Sequence, residues 1–92
     1  MRRLFPEVKE ELAFLRRLLN PGLDVPADGG FELYDRVVVC WHSAWEDEDA
    51  ELFCQVVGRR FEPGTNRVTT IRVRIMETSA QALRMRLGRF GR

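Results

Sequence analysis

The sequence predicts an α+β fold, an N-terminal amphipathic helix packed on a three- to four-stranded antiparallel sheet. Three observations predict it. Apolar residues recur at helical spacing between Val8 and Leu19, apolar and polar residues alternate after Gly30, and two turn-rich loops cut the alternating stretch into strands.

The helix reads as residues 6–20. Pro6 suits a first helical position, Glu7, Glu10 and Glu11 lie in the early turns, and Arg16 and Arg17 lie near the end, all in the sense that complements the helix dipole. Val8, Leu12, Leu15 and Leu19 form one stripe, which Phe14 and Leu18 widen into a broad apolar face. Asn20-Pro21-Gly22 stops the helix. The segment to Gly30, with two prolines and three glycines, has neither period and reads as a connector.

Three strands follow, at about 31–45, 50–61 and 66–77, rich in β-branched and aromatic residues. Glu46-Asp47-Glu48-Asp49 is read as the first hairpin loop and Glu62-Pro63-Gly64-Thr65 as the second. Ile71, Val73 and Ile75 alternate with Arg72 and Arg74, which fixes the core face of the third strand. A tight turn between Glu62 and Thr65 sets Ile71, Val73 and Ile75 opposite Val56, Cys54 and Leu52. Closing the acidic loop with Trp45 and Ala50 sets Val39 opposite Val56 and Trp41 opposite Cys54. The expected inner face is Val37, Val39, Trp41, Leu52, Cys54, Val56, Ile71, Val73 and Ile75.

The C-terminal segment reads two ways. Thr78-Ser79-Ala80-Gln81 resembles a capping box, with Ala80, Leu83, Leu87 and Phe90 at helical spacing, which gives the order α-β-β-β-α. Leu83-Arg84-Met85-Arg86-Leu87 also alternates as a fourth strand would.

Length and composition set the frame for function. The 92 residues make one small domain, 1–92, with 45% hydrophobic and 32% charged residues, well away from the disordered class. A core of this size gains from association with a copy or a partner. The start, Met1-Arg2-Arg3-Leu4-Phe5-Pro6, lacks the apolar core of a secretory signal, and no later stretch is long enough to span a bilayer, so a cytoplasmic protein with no membrane role is expected. Cys40 and Cys54 are too few for a disulfide framework and are expected as reduced thiols.

The net charge of +1 conceals an asymmetry. Residues 1–56 carry six basic and twelve acidic side chains, whereas 57–92 carry nine basic and two acidic. Fourteen of the fifteen cations are arginine, whose planar fork pairs with carboxylates or phosphates and stacks on rings. That suits an anionic partner, and equally the acidic front half of the same chain or of another copy.

Catalytic and metal-binding patterns are thin. Cys40, His42 and Cys54 have the chemistry of zinc ligands, but they number one fewer than a closed site needs, and the register turns Cys54 away from the other two. His42 and Ser43, as neighbours on a strand, point to opposite faces and cannot form a nucleophile–base pair. The acidic loop lacks the spacing and central glycine of a calcium-binding loop. No cofactor and no metal are expected, and the chain is read as no enzyme.

What remains is the expected outer face: Tyr34, Arg36, Val38, Cys40 and His42, then Phe53, Val57, Arg59 and Phe61, then Arg72, Arg74 and Met76. Aromatics, Met and Arg are the residues enriched in protein interfaces, and Arg with stacking aromatics is also how open sheets hold single-stranded RNA. The sequence therefore points to a non-catalytic module for protein–protein association, with itself or another protein. Its expected binding residues are Tyr34, Arg36, Phe53, Arg59, Phe61, Arg72, Arg74, Arg84 and Arg86. The alternative reading is a nucleic-acid-binding domain using the same arginines.

Overall fold

A computed structural model describes residues 1–90. Two helices accompany a five-stranded mixed sheet: β1 (Arg2–Leu4), α1 (Glu11–Leu19), β2 (Leu23–Pro26), β3 (Arg36–Ser43), β4 (Glu48–Phe61), β5 (Val68–Ile75) and α2 (Glu77–Phe90). The spatial order is β1-β3-β4-β5-β2, with β1 parallel to β3 and every other neighbour antiparallel.

The α+β class holds, but the sheet has five strands where three or four were expected. The two additions are the edges. β1 lies in what reads as lead-in to the helix, and β2 in what reads as a connector. Strands of three and four residues show no alternation long enough to recognise, and each is specified by pairing with a longer neighbour. Their brevity, with Arg2, Arg3 and Pro26, also blunts both edges against further pairing.

Helix α1 begins at Glu11, five residues after the expected start, because the chain must first leave the sheet edge at Leu4 and cross to the helical layer. Phe14, Leu15 and Leu18 are buried on it, while Leu12 and Leu19 are half-buried. The C-terminal segment is helical, not a fourth strand, and its helical period buries Ala80 and Leu83. The Phe90 side chain, expected on that stripe, lies outside the described residues.

One buried cluster draws on all seven elements: Leu4, Phe14, Leu15, Leu18, Val25, Phe31, Val37, Val39, Trp41, Cys54, Val56, Val68, Ile71, Val73, Ile75, Ala80 and Leu83. Its sheet residues belong to a single face, and the helices supply the rest. Phe14 meets Trp41 edge-on with ring centroids 4.9 Å apart, an arrangement aromatic pairs favour.

The facing of β3, of β4 as far as Val56 and of β5 from Ile71 follows the alternation, but the register does not. Cys54 opposes Ile75 and Val56 opposes Val73, a shift of two residues from the expected pairing. Glu62-Pro63-Gly64-Thr65 does form a turn, with Gly64 at φ 77° and the Thr65 N–H donating to the Glu62 carbonyl at 3.1 Å. Asn66 and Arg67 then extend the loop, and Glu62 N–H closes it on the Arg67 carbonyl at 2.8 Å. In the other hairpin Val39 opposes Leu52 and Trp41 opposes Ala50, a shift of four residues.

The cause of that larger shift is a tertiary contact. The Glu11 carboxylate accepts hydrogen bonds from Ser43 Oγ (2.7 Å), the backbone N–H groups of Ala44 (2.9 Å) and Trp45 (3.3 Å), and Trp41 Nε1 (3.4 Å). Ser43 Oγ in turn accepts from the Glu46 N–H at 3.1 Å. These bonds place the loop at residues 44–47, two positions earlier than the acidic run suggests. Because an even shift preserves which side chains point inward, the core set survived it.

Candidate functional site

Side chains of both helices join the buried cluster on one face of the sheet, and among the described residues no other element lies over the second face. On the open face the cross-strand pairs form rows. Arg3, Val38 and Phe53 make the central row, continued by Met76, whose N–H donates to the Phe53 carbonyl at 3.1 Å. Cys40 and Glu51 make the next row toward the β3–β4 hairpin, followed by His42 and Asp49. In the opposite direction come Arg36, Gln55 and Arg74, then Gly58, Arg72 and Asp24. Val38 is buried although no helix lies over it, screened by Arg3 and Phe53 on the flanking strands. Phe53 itself is 47% exposed.

Of the nine residues expected to bind, four lie on this face: Arg36, Phe53, Arg72 and Arg74. Tyr34 sits at its margin, 67% exposed, in the turn that leads into β3. Its backbone is left-handed (φ 71°), uncommon for an aromatic, and is held by a bond from its N–H to the Val56 carbonyl at 2.8 Å and by Gln55 Nε2 donating to its carbonyl at 3.1 Å.

Arg59 and Phe61 are not on the outer face. β4 carries a bulge at Val57, between the pairs Val56–Val73 and Gly58–Arg72, so that Arg59 opposes the buried Ile71 and Phe61 opposes the buried Val68. One extra residue reverses the facing of everything beyond it. Arg59 Nη1 donates to the Phe31 carbonyl at 3.0 Å, and its guanidinium lies 5.2 Å from the Phe61 ring centroid. Arg59 is half-buried beside Phe31, while Phe61 at the end of β4 remains 42% exposed.

Arg84 and Arg86 lie on α2, in the helical layer. Arg84 is exposed there. Arg86 is turned inward, its guanidinium carbon 5.8 Å from the Trp41 ring centroid and Nη2 2.8 Å from Glu46 Oε2. The angle of that contact falls short of a hydrogen bond, so it acts as a charge pair.

Four charged residues of the face escaped the sequence reading of the site: Arg3, Asp24, Asp49 and Glu51. Arg3 and Asp24 arrive on the short edge strands. Glu51 could have been found, since it alternates with Leu52 and Cys54, whereas Asp49 belongs to the expected loop, and the loop lies two residues earlier. Arg3 Nη1 pairs with Glu51 Oε2 at 2.7 Å, and Arg72 grips Asp24 through Nε (2.9 Å) and Nη2 (3.2 Å). The hydrogen bonds from Arg72 hold the Asp24 carboxyl below the usual range. Among the described residues, Arg36 and Arg74 have no ion-pair partner.

His42 sits between two carboxylates. Nδ1 lies 3.2 Å from Asp49 Oδ1 and Nε2 3.2 Å from Asp47 Oδ1, and hydrogen bonding to Asp49 and then Asp47 raises its pKa. Ser43 points to the core side and donates its hydroxyl to Glu11, away from His42. Cys40 Sγ is on the open face with His42, but its contacts are Arg3 Nη1 at 3.5 Å and the Val38 carbonyl at 3.9 Å. Cys54 lies in the core, where burial pushes its thiol pKa up to about 12, so it stays protonated. The two cysteines and His42 therefore do not converge.

The face is thus polarised along its strands, acidic toward the β3–β4 hairpin and basic toward the other end, with an apolar row between. No helix among the described residues is long and apolar enough to cross a membrane. Comparison of the chain with family models, with curated proteins and with solved structures gave no match.

Proposed function

We propose that this chain is a single-domain, non-catalytic module that works by protein–protein association through the open sheet face. The observation that carries the reading is the central row, where exposed Phe53 stands beside Val38 and Met76 and is flanked by Arg3, Arg36 and Arg74. A few aromatic and arginine side chains commonly dominate interface energetics, and here they cluster at the centre of a surface that no other element among the described residues covers. Free Cys40 and Cys54 suit the reducing cytoplasm.

The nucleic-acid alternative has weaker support. Arg59 and Arg86 face the core side, Arg3 and Arg72 are engaged by carboxylates, and the acidic end of the face repels phosphate.

A photoreactive amino acid at position 53, compared with one at exposed Gln81 on α2, tests the reading in cells. Covalent adducts to protein from position 53 and not from position 81 are expected. Adducts to RNA or DNA would favour the alternative, and no adduct at position 53 would remove the face as the site.

A further inference from the structure

We propose that the partner of the open face is a second copy of this chain, stacked face to face about a twofold axis that crosses the strands. The inference rests on the association reading and supplies its partner.

The charges select that arrangement. Asp49 and Glu51 lie on one side of the Val38–Phe53 row, while Arg36 and Arg74 lie on the other. A twofold axis along that row reverses the strand direction of the second copy. It returns Phe53 close to Phe53, sets Arg3, already neutralised by its own Glu51, near the Arg3 of the other copy, and lays the Cys40–Glu51 row over the Arg36–Gln55–Arg74 row, twice over, as isologous contacts require. A twofold axis parallel to the strands would set acid on acid and base on base. Each copy therefore offers its own complement, with the unpaired Arg36 and Arg74 reaching for the carboxylates of the other. The net charge of +1 adds little global repulsion between copies.

The edges exclude the competing mode of sheet association. β1 and β2 span three and four residues, and β2 ends in a proline, so neither offers a run of backbone groups on which a second sheet could continue. Size limits the strength. Strands of eight, fourteen and eight residues plus edges of three and four, at about 4.8 Å spacing and about 3.3 Å per residue, present roughly 600 Å² per copy. Stable interfaces bury about 800 Å² per partner, so the dimer is a reversible one.

Sedimentation velocity across the micromolar to millimolar range provides the test. Wild-type chain should exchange between monomer and dimer, with weaker association at high salt. One variant carries Asp49→Lys with Glu51→Lys, the other Arg36→Glu with Arg74→Glu, and thermal melts confirm that each folds. Each alone should self-associate about tenfold more weakly or worse, because like charges then meet at both symmetric contacts. Mixing the two should restore a dimer containing one of each. As an independent disruption, Phe53→Arg should abolish the dimer by replacing the apolar contact at the axis with two arginines that, unlike Arg3, have no carboxylate of their own. A wild-type chain that remains monomeric throughout would overturn the proposal, as would a dimer indifferent to Phe53→Arg or a mixture that fails to recover. If the chain is monomeric while position 53 still attaches to a different protein, the self-association inference falls and the association reading stands. If neither occurs, both fall.

Discussion

The two faces of the same three strands do different work. On the inner face Val37, Val39, Cys54, Val56, Ile71 and Val73 are at most 1% exposed, closed over by Phe14, Leu15, Leu18 and Leu83. On the outer face Phe53 is 47% exposed, and beside Val38 and Met76 its surroundings are charged: the Arg3–Glu51 ion pair on one side, Arg36 and Arg74 on the other. The inner face is built of β-branched and other apolar residues, whereas the outer face mixes Val38 and Phe53 with Arg36, Asp49, Glu51, Gln55, Arg72 and Arg74, so composition and enclosure change together. It follows that stability can be damaged from one face and association from the other, nearly independently.

The sharpest way to break that division is Leu15→Ala. Leu15 is fully buried in the cluster, and truncating such a leucine costs about 2–5 kcal/mol, set against the roughly 5–15 kcal/mol that folded proteins typically have. Thermal melting should show a severely destabilised or unfolded chain. An unchanged melting temperature would mean the inner face does not hold the fold.

Glu11→Ala should come next. It removes the acceptor for the buried Ser43 hydroxyl and for two loop N–H groups, and an unsatisfied buried polar group costs about 1–3 kcal/mol. Denaturant unfolding at neutral pH measures this loss. The same contact gives a pH dependence. Burial alone would raise the Glu11 carboxyl, but the hydrogen bonds from Ser43, Trp45, Trp41 and Ala44 outweigh it and hold the pKa below the ordinary value. A folded pKa below the unfolded one contributes stability that is present above the unfolded pKa and lost as pH falls through the folded pKa. Acid unfolding of the wild type should therefore steepen below the usual carboxylate range, and Glu11→Ala should flatten that dependence.

On the outer face Phe53→Ser should cost about 1 kcal/mol or less in the dilute chain, because half the ring already meets water. Calorimetry at low concentration checks this. A collapse of the fold would show that the open face is in fact structural.

The smallest effect concerns His42. Hydrogen bonds to Asp49 and Asp47 raise its pKa, so its contribution is present below the unfolded pKa and lost as pH rises through the folded one. The cluster is exposed, and the effect on stability is correspondingly slight. Titration of the imidazole by NMR should give a pKa above the ordinary histidine value, and Asp49→Asn should bring it back toward that value.

What was legible in the sequence follows the same division. The inner faces of β3, β4 and β5 could be read because alternation over eight residues is imposed by burial, as in Ile71, Val73 and Ile75. The C-terminal segment was legible only as two alternatives, since Ala80 and Leu83 fit a helical period while Leu83-Arg84-Met85-Arg86-Leu87 alternates as a strand would. Registers were not, since they depend on loop closure, and the β3–β4 loop is set by Glu11, a residue more than thirty positions away from it in the chain. β1 and β2 lay below the length at which alternation means anything. For the candidate site, Phe53, Arg36, Arg72 and Arg74 were found by counting along strands from the core. Arg59 and Phe61 were misplaced because that count passes through Val57, whose extra backbone unit leaves no mark in the side-chain pattern. Arg3 and Asp24 depended on strands not recognised.

The bulge at Val57 has a consequence for how the chain tolerates change in length. Beyond it, Gly58, Arg59 and Arg60 take their places from Arg72, Ile71 and Thr70 across the ladder, not from a count along β4. Deleting Val57 would join Val56 directly to Gly58 and leave every one of those pairs intact, relaxing only the added local twist. Deleting Gln55 instead would put Cys54 and Val56 on opposite faces and empty a place in the core. A lineage could gain or shed a residue at position 57 without disturbing either face, and in β4 an insertion or deletion should be found there before anywhere else.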